Sequence, residues 1–242
     1  MHLERPGNMT TKNKVVFVIV EGPSDDMALG TLFTRIYKEM LKMQVQVEIL
    51  HGDITSDFNV DSHNIVATIG NIVRNRIKEM RLKKSDIFEV IQVVDTDGVF
   101  IPDNLIIEDQ SCKEFKYTRD NIFFYNRDKV IERNKRKREN LNRIINMKNI
   151  CKDIPYHIYY MSSCLDFALY NKLNSTDEEK EEDAFEFVEK YEKNLDEFID
   201  YLCKSDFSKC ESYLESWNFI KEGKHSLERY TNLGLCFKSI ES

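Results

Sequence analysis

Glycine and proline are scarce in this chain, at 8 and 4 residues among 242. That scarcity excludes collagen-like, linker-rich and low-complexity architectures. No apolar run approaches the length needed to span a bilayer, and Met1-His2-Leu3-Glu4-Arg5-Pro6-Gly7-Asn8 carries no apolar segment of a secretory signal. The six cysteines include no C-x-x-C pair, and no histidine stands at zinc-ligand spacing. Zinc-finger and thioredoxin-type chemistry are thereby excluded, and reduced thiols in a cytoplasmic protein are expected. There is no G-x-G-x-x-G after the first apolar run and no G-x-x-x-x-G-K-[ST], so neither a Rossmann dinucleotide site nor a P-loop is expected. An excess of positive charge is also missing. With 35 Lys and Arg against 42 Asp and Glu, the formal net charge is −7. The molecule has no general attraction for phosphate backbones, and a nucleic-acid contact requires a local basic patch or bound cations.

What is present is 41% hydrophobic and 32% charged residues, the composition of a globular chain with enough apolar mass for one large domain or a domain plus an appendage. Val15 to Val20 is a short continuous apolar run rich in β-branched residues, as a central parallel strand should be. Gly22 and Pro23 break it, and Ser24 is placed to cap a helix whose first turn holds Asp25 and Asp26. Ala28/Leu29, Leu32/Phe33, Ile36/Tyr37 and Met40/Leu41 then form one apolar face. Val45 to Leu50 reads as a second strand ending at His51-Gly52-Asp53. Ile65 to Met80 reads as a second amphipathic helix and Phe88 to Val94 as a third strand. Strand–helix–strand–helix–strand predicts right-handed parallel crossovers.

Further on, Leu105 to Ile107 and Asn121 to Tyr125 read as short strands. Asn126 to about Met147 reads as a helix with a dense basic run, in which Arg127, Lys129, Arg133, Arg136 and Lys137 are candidate nucleic-acid contacts. Tyr156 to Met161 reads as another strand, and Ser163-Cys164-Leu165-Asp166 opens a short helix. The acidic segment Asp177 to Asp183 precedes an amphipathic helix through Leu202, with further helical pieces around 213–220 and 225–235. The expected organisation is a flexible leader over 1–13, an α/β domain over 14–172 and a helical C-terminal extension over 173–242. The apolar faces of the extension serve either a homodimer or the cover of the sheet.

The chemistry concentrates at strand ends. The first strand ends in Glu21 and the third in Asp95-Thr96-Asp97. If these strands are parallel neighbours, three carboxylates meet at the carboxyl edge of one sheet, where open α/β sheets place their sites. Carboxylates at that density suit Mg²⁺, with Mn²⁺ as its substitute. Asp25 is a further candidate ligand or simply a helix-start acid.

A strand ending in Glu21-Gly22 followed by Ser24-Asp25, with a later strand ending in Asp95-x-Asp97, resembles the TOPRIM domain of topoisomerases, bacterial primases, a ribosomal-RNA maturase and OLD-type and RloB-like nucleases. The resemblance covers roughly Lys14 to Tyr125. Ser163-Cys164-Leu165-Asp166 is similar to a third element of the OLD and RloB nucleases, with Asp where Glu is common; Lys172 is the nearest match to a lysine that sometimes follows. The resemblance implies a Rossmann-like core with a mostly parallel sheet and a Mg²⁺-dependent nuclease of prokaryotic antiviral defence. In it Glu21, Asp95, Asp97 and Asp166 are catalytic, and Glu21, Asp25, Asp95 and Asp97 hold metal. It also implies a DNA or RNA substrate, tRNA included, and a separate ATPase or sensor as partner. Two alternatives stand beside it: a TOPRIM-like module that binds nucleic acid or a partner without cutting, and a haloacid-dehalogenase-type phosphatase. The second rests on Asp95-Thr96-Asp97-Gly98-Val99-Phe100, but that motif normally opens its domain and leaves Glu21 to Asp25 unexplained.

Overall fold

The computed structural model describes residues 14–39, 45–51 and 54–238. The expected leader, the Met40/Leu41 pair, Gly52-Asp53 and the last four residues lie outside the described residues. The elements run β1 (Lys14–Val20), α1 (Pro23–Glu39), β2 (Val45–His51), α2 (Ile65–Glu79), β3 (Ile87–Asp95), β4 (Ile106–Glu108), β5 (Lys116–Tyr117) and β6 (Ile122–Phe124). They continue with α3 (Arg127–Ile144), β7 (Asn149–Ile150), β8 (Ile154–Met161), α4 (Leu165–Tyr170), α5 (Asp177–Tyr191), α6 (Leu195–Lys204), α7 (Tyr213–Ile220) and α8 (Leu235–Lys238).

One mixed sheet has the order β2-β1-β3-β8-β7, in which the first four strands are parallel and β7 runs antiparallel to β8. Helices cover both faces, which is why β1 is apolar at every position after Lys14. Val16, Val18 and Val20 enter a core shared with α1, α4, α5 and α6, while Val15, Phe17 and Ile19 enter a second core shared with α2, α3 and α7. Each such side chain contributes about 1.5–3 kcal/mol on full burial, so β1 tolerates a charge only at its ends. The buried amide of Gln92 on β3 is the polar exception, and Tyr156 on β8 satisfies it by donating its hydroxyl at 2.6 Å.

Between β3 and α3 the chain inserts a small sheet of order β4-β6-β5. It has its own core of Ile101, Ile106, Ile122, Phe124, Val130 and Leu227. The two-residue strand β5 has no apolar periodicity and was not expected from sequence.

Of the two uses expected for the apolar faces of the C-terminal extension, a homodimer or the cover of the sheet, the described residues show the second: they pack into the cores of the sheet. Phe187, Tyr191 and Phe198 pack in the first, Trp217 and Ile220 in the second. The helix expected over 225–235 is instead one 3₁₀ turn at His225–Leu227, with α8 starting only at Leu235. The reason is competition from the sheet. Thr231 bridges Met161 and donates its hydroxyl to the Tyr160 carbonyl at 2.7 Å, while the Tyr160 N–H donates to Asn232 Oδ1 at 2.8 Å. Closing the end of β8 thus displaces local helix formation. Among the described residues no helix is long and apolar enough to cross a membrane.

Candidate acidic active site

The strand order places the ends of β1, β3 and β8 side by side, and the chain leaves each by a different device. After β1, Gly22 is followed by Pro23 at the first helical position, where a missing N–H costs nothing. The helix therefore begins one residue before the expected cap at Ser24. Asp25 in the first turn reaches back, its Oδ2 accepting the N–H groups of Gly22 at 2.9 Å and Glu21 at 3.1 Å. This is the acidic half of a capping box, so Asp25 holds the turn that aims Glu21.

After β3, Asp97 takes a left-handed backbone at φ 50°, followed by Gly98 at φ 65°. After β8, Ser163 is also left-handed at φ 56°. Thr96 ties these turns together. Its N–H donates to the Met161 carbonyl at 2.8 Å, and its hydroxyl accepts the Ser163 N–H at 2.9 Å.

These devices open onto one cleft of about 760 Å³ that Glu21, Asp25, Asp95, Asp97 and Asp166 all line. All the acids expected from sequence are therefore brought together. Glu21 Oε1 accepts the Asp95 N–H at 3.1 Å. The Asp95 carboxylate accepts no hydrogen bond from the described residues. Burial, with Glu21, Asp25 and Asp97 close by, pushes its pKa well above the usual carboxylate range, and Lys137 offsets this only in part. Asp97 goes the other way. Burial raises it, but the Lys137 and Arg133 cations outweigh that and hold it low. Asp166, at the start of α4, is pushed up to about 6 by burial, with Lys180 opposing and Asp25 and Asp183 adding to the rise.

Lys137 was expected on a nucleic-acid-facing surface; it is instead fully buried. Its Nζ lies 2.5 Å from Asp97 Oδ2 and 3.4 Å from Glu21 Oε1. A readable signal existed. Val130, Asn134, Lys137, Leu141 and Ile144 share the buried stripe of α3, and a lysine on the apolar side of a helix must meet an acid. Other cations of the basic run are also engaged within the fold. Arg127 donates to the carbonyls of Asp103 and Ile106, and Arg136 to that of Ser56. Arg133 donates to the Asp97 carbonyl at 3.0 Å and the Tyr117 hydroxyl at 2.7 Å, its guanidinium 4.3 Å from the centre of the Phe115 ring. Of the five candidates Lys129 alone is exposed, and it donates to the Tyr125 hydroxyl. Lys172 does not line the cleft; it pairs with Asp183 at 2.6 Å.

The cleft has an outer wall that the sequence did not announce. Glu114, Phe115 and Tyr117 of the inserted sheet face the start of α5, with Asn174, Asp177, Glu178 and Lys180. The Asn174 side chain closes this wall by pairing with the Tyr117 backbone in both directions, at 2.8 and 2.9 Å.

The donors in this cleft are mainly carboxylate oxygens, the ligand chemistry of a hard divalent cation. Among the described residues no three His, Cys, Asp or Glu side chains are arranged to hold a metal ion. Mg²⁺ asks for only one or two carboxylates, with water and substrate phosphate completing the shell. Asp95 and its neighbour Glu21 are the carboxylates in the cleft that could hold such an ion. Comparison with known proteins leaves this geometry to stand alone: no family model, curated protein or solved structure matches the chain.

Proposed function

We propose that the chain is a TOPRIM-type, Mg²⁺-dependent nuclease that hydrolyses phosphodiester bonds. The observation that carries this reading is the meeting of Glu21, Asp95 and Asp97 at adjacent ends of parallel strands, in a single cleft, with the Asp95 carboxylate left open. Mg²⁺ bound there would polarise the scissile phosphate and activate a water. Asp95 and Asp97 would hold the ion, and Glu21 would share it or move the proton of the attacking water. Asp166, raised towards neutrality, is placed to carry a proton at the cleft wall.

Electrostatics support the need for a cation. Glu21, Asp25, Asp95, Asp97, Glu114, Asp166, Asp177 and Glu178 all line the cleft, and without a bound cation their field repels a phosphate backbone. Lys129, Lys135 and Arg143 on α3 are exposed, but none of them lines the cleft. An antiviral role with a separate ATPase or sensor is consistent with the family resemblance.

The test is calorimetric titration of Mg²⁺ and Mn²⁺ into the wild type and a Glu21→Ala, Asp95→Ala double variant. The same samples are incubated with supercoiled plasmid, single-stranded DNA and total tRNA. Metal binding and cleavage of one substrate, both lost in the variant, are expected. Negligible binding to both proteins would sink the catalytic reading and leave a binding module.

A further inference from the structure

Building on the metal-dependent reading, we propose that Lys137 is a resident counter-ion: the divalent cation enters by displacing its ammonium from Glu21 and Asp97. The Lys137 side chain is fully buried, and its Nζ bridges a carboxylate at the end of β1 and one just beyond β3. That is the space between the two strand ends where an ion shared by these acids must sit. A buried ammonium persists only when paired, and here it keeps the acidic strand ends together in the absence of metal. It also excludes a second cation, because positive charges a few ångströms apart in a largely buried site repel strongly.

The four-carbon stem of a lysine lets the ammonium move while its Cα stays fixed. Lys137 rises from α3, whose buried stripe anchors the stem, and the adjoining cleft of about 760 Å³ gives the head somewhere to go. A displaced ammonium remains beside the cleft, where the phosphate of a bound substrate would attract it. Lys137 thus has two positions: on the acids without metal, and turned to substrate with it.

The test uses the full chain and Mn²⁺. Calorimetry on the wild type, Lys137→Gln and Lys137→Arg should show at least tenfold tighter binding to Lys137→Gln, with no gain in Lys137→Arg. Independently, the wild type is treated with an amine-acetylating reagent and Lys137 labelling is read by peptide mass spectrometry. Saturating Mn²⁺ should raise labelling of Lys137 several-fold while exposed Lys129 stays constant. Equal affinity in wild type and Lys137→Gln, or Lys137 labelling indifferent to Mn²⁺, overturns the displacement but leaves the metal reading intact. Absence of binding to all three proteins overturns both. Should Lys137→Gln fail to fold, the labelling of the wild type decides by itself.

Discussion

Asp97 and Ser163 sit on neighbouring strand ends, both in left-handed backbone, and the Asp97 N–H donates to the Ser163 carbonyl at 2.8 Å. Two adjacent non-glycine residues in this conformation cost about 1–2 kcal/mol each. Strain of this kind persists where surrounding structure over-determines it. Here the over-determination comes from Thr96 and from the Ser226 carbonyl, which accepts both the Ser163 N–H and the Thr96 hydroxyl. The strain is stored where the acids are aimed.

Ser163 is the place to release it. Its hydroxyl is buried without a hydrogen-bond partner among the described residues, so Ser163→Gly removes both the backbone cost and the orphaned oxygen. The variant is expected to gain about 1–3 kcal/mol, read as a higher urea midpoint. A lower midpoint would mean that the hydroxyl has a partner in solution.

Gly98 answers to the opposite logic. A Cβ there meets Leu227 Cδ2 at 2.5 Å and Ile122 Cδ1 at 3.1 Å, at a φ of 65°. Left-handed strain and overpacking both apply, so Gly98→Ala should cost about 2–4 kcal/mol. Because Gly98 follows Asp97, metal affinity should fall in the same variant. Thermal melts and calorimetry check the pair of effects, and a well-folded variant with unchanged melting refutes the packing argument.

Asp25 separates charge from geometry. Its Oδ2 serves the N–H groups of Glu21 and Gly22, so Asp25→Ala should cost about 1–2 kcal/mol, as lost helix caps do. Asp25→Asn keeps an acceptor oxygen and should stay close to wild type in chemical denaturation. If Asp25 ligates metal directly, Asn will instead lose metal affinity as severely as Ala.

Asp166 sets a pH dependence. Its folded pKa of about 6 lies above the ordinary value of 3.8. Below the unfolded value both states hold the proton and the residue is neutral to stability. As pH rises towards 6 the unfolded chain ionises first, so the native state loses stability, and the penalty is complete above that value. Asp166→Asn should therefore melt higher than wild type at pH 8, by on the order of 1–3 kcal/mol, with the gap closing by pH 4. Melts across that range test it, and a gap independent of pH rules the titration out.

The parallel strands β1, β2, β3 and β8, the two long crossover helices and the acids at the strand ends were legible in the chain because each is a local pattern. The apolar run of β1, the 3.6-residue stripe of α2 and the Glu21 and Asp95-x-Asp97 endings need only neighbours in sequence. The course of residues 225–235 was not legible. Its local preference is overruled by hydrogen bonds that Thr231 donates to, and Asn232 accepts from, a strand some 70 residues away.

The basic helix shows the same division. Sequence determined that α3 is helical and rich in cations, and which of them lie on its apolar stripe. Only the tertiary structure decided that Arg127, Arg133 and Arg136 end on carbonyl oxygens and that Lys137 ends between Glu21 and Asp97. A charge written in the sequence has no destination until the fold brings its partner, and the desolvation cost of burial then admits only the positions where a partner waits.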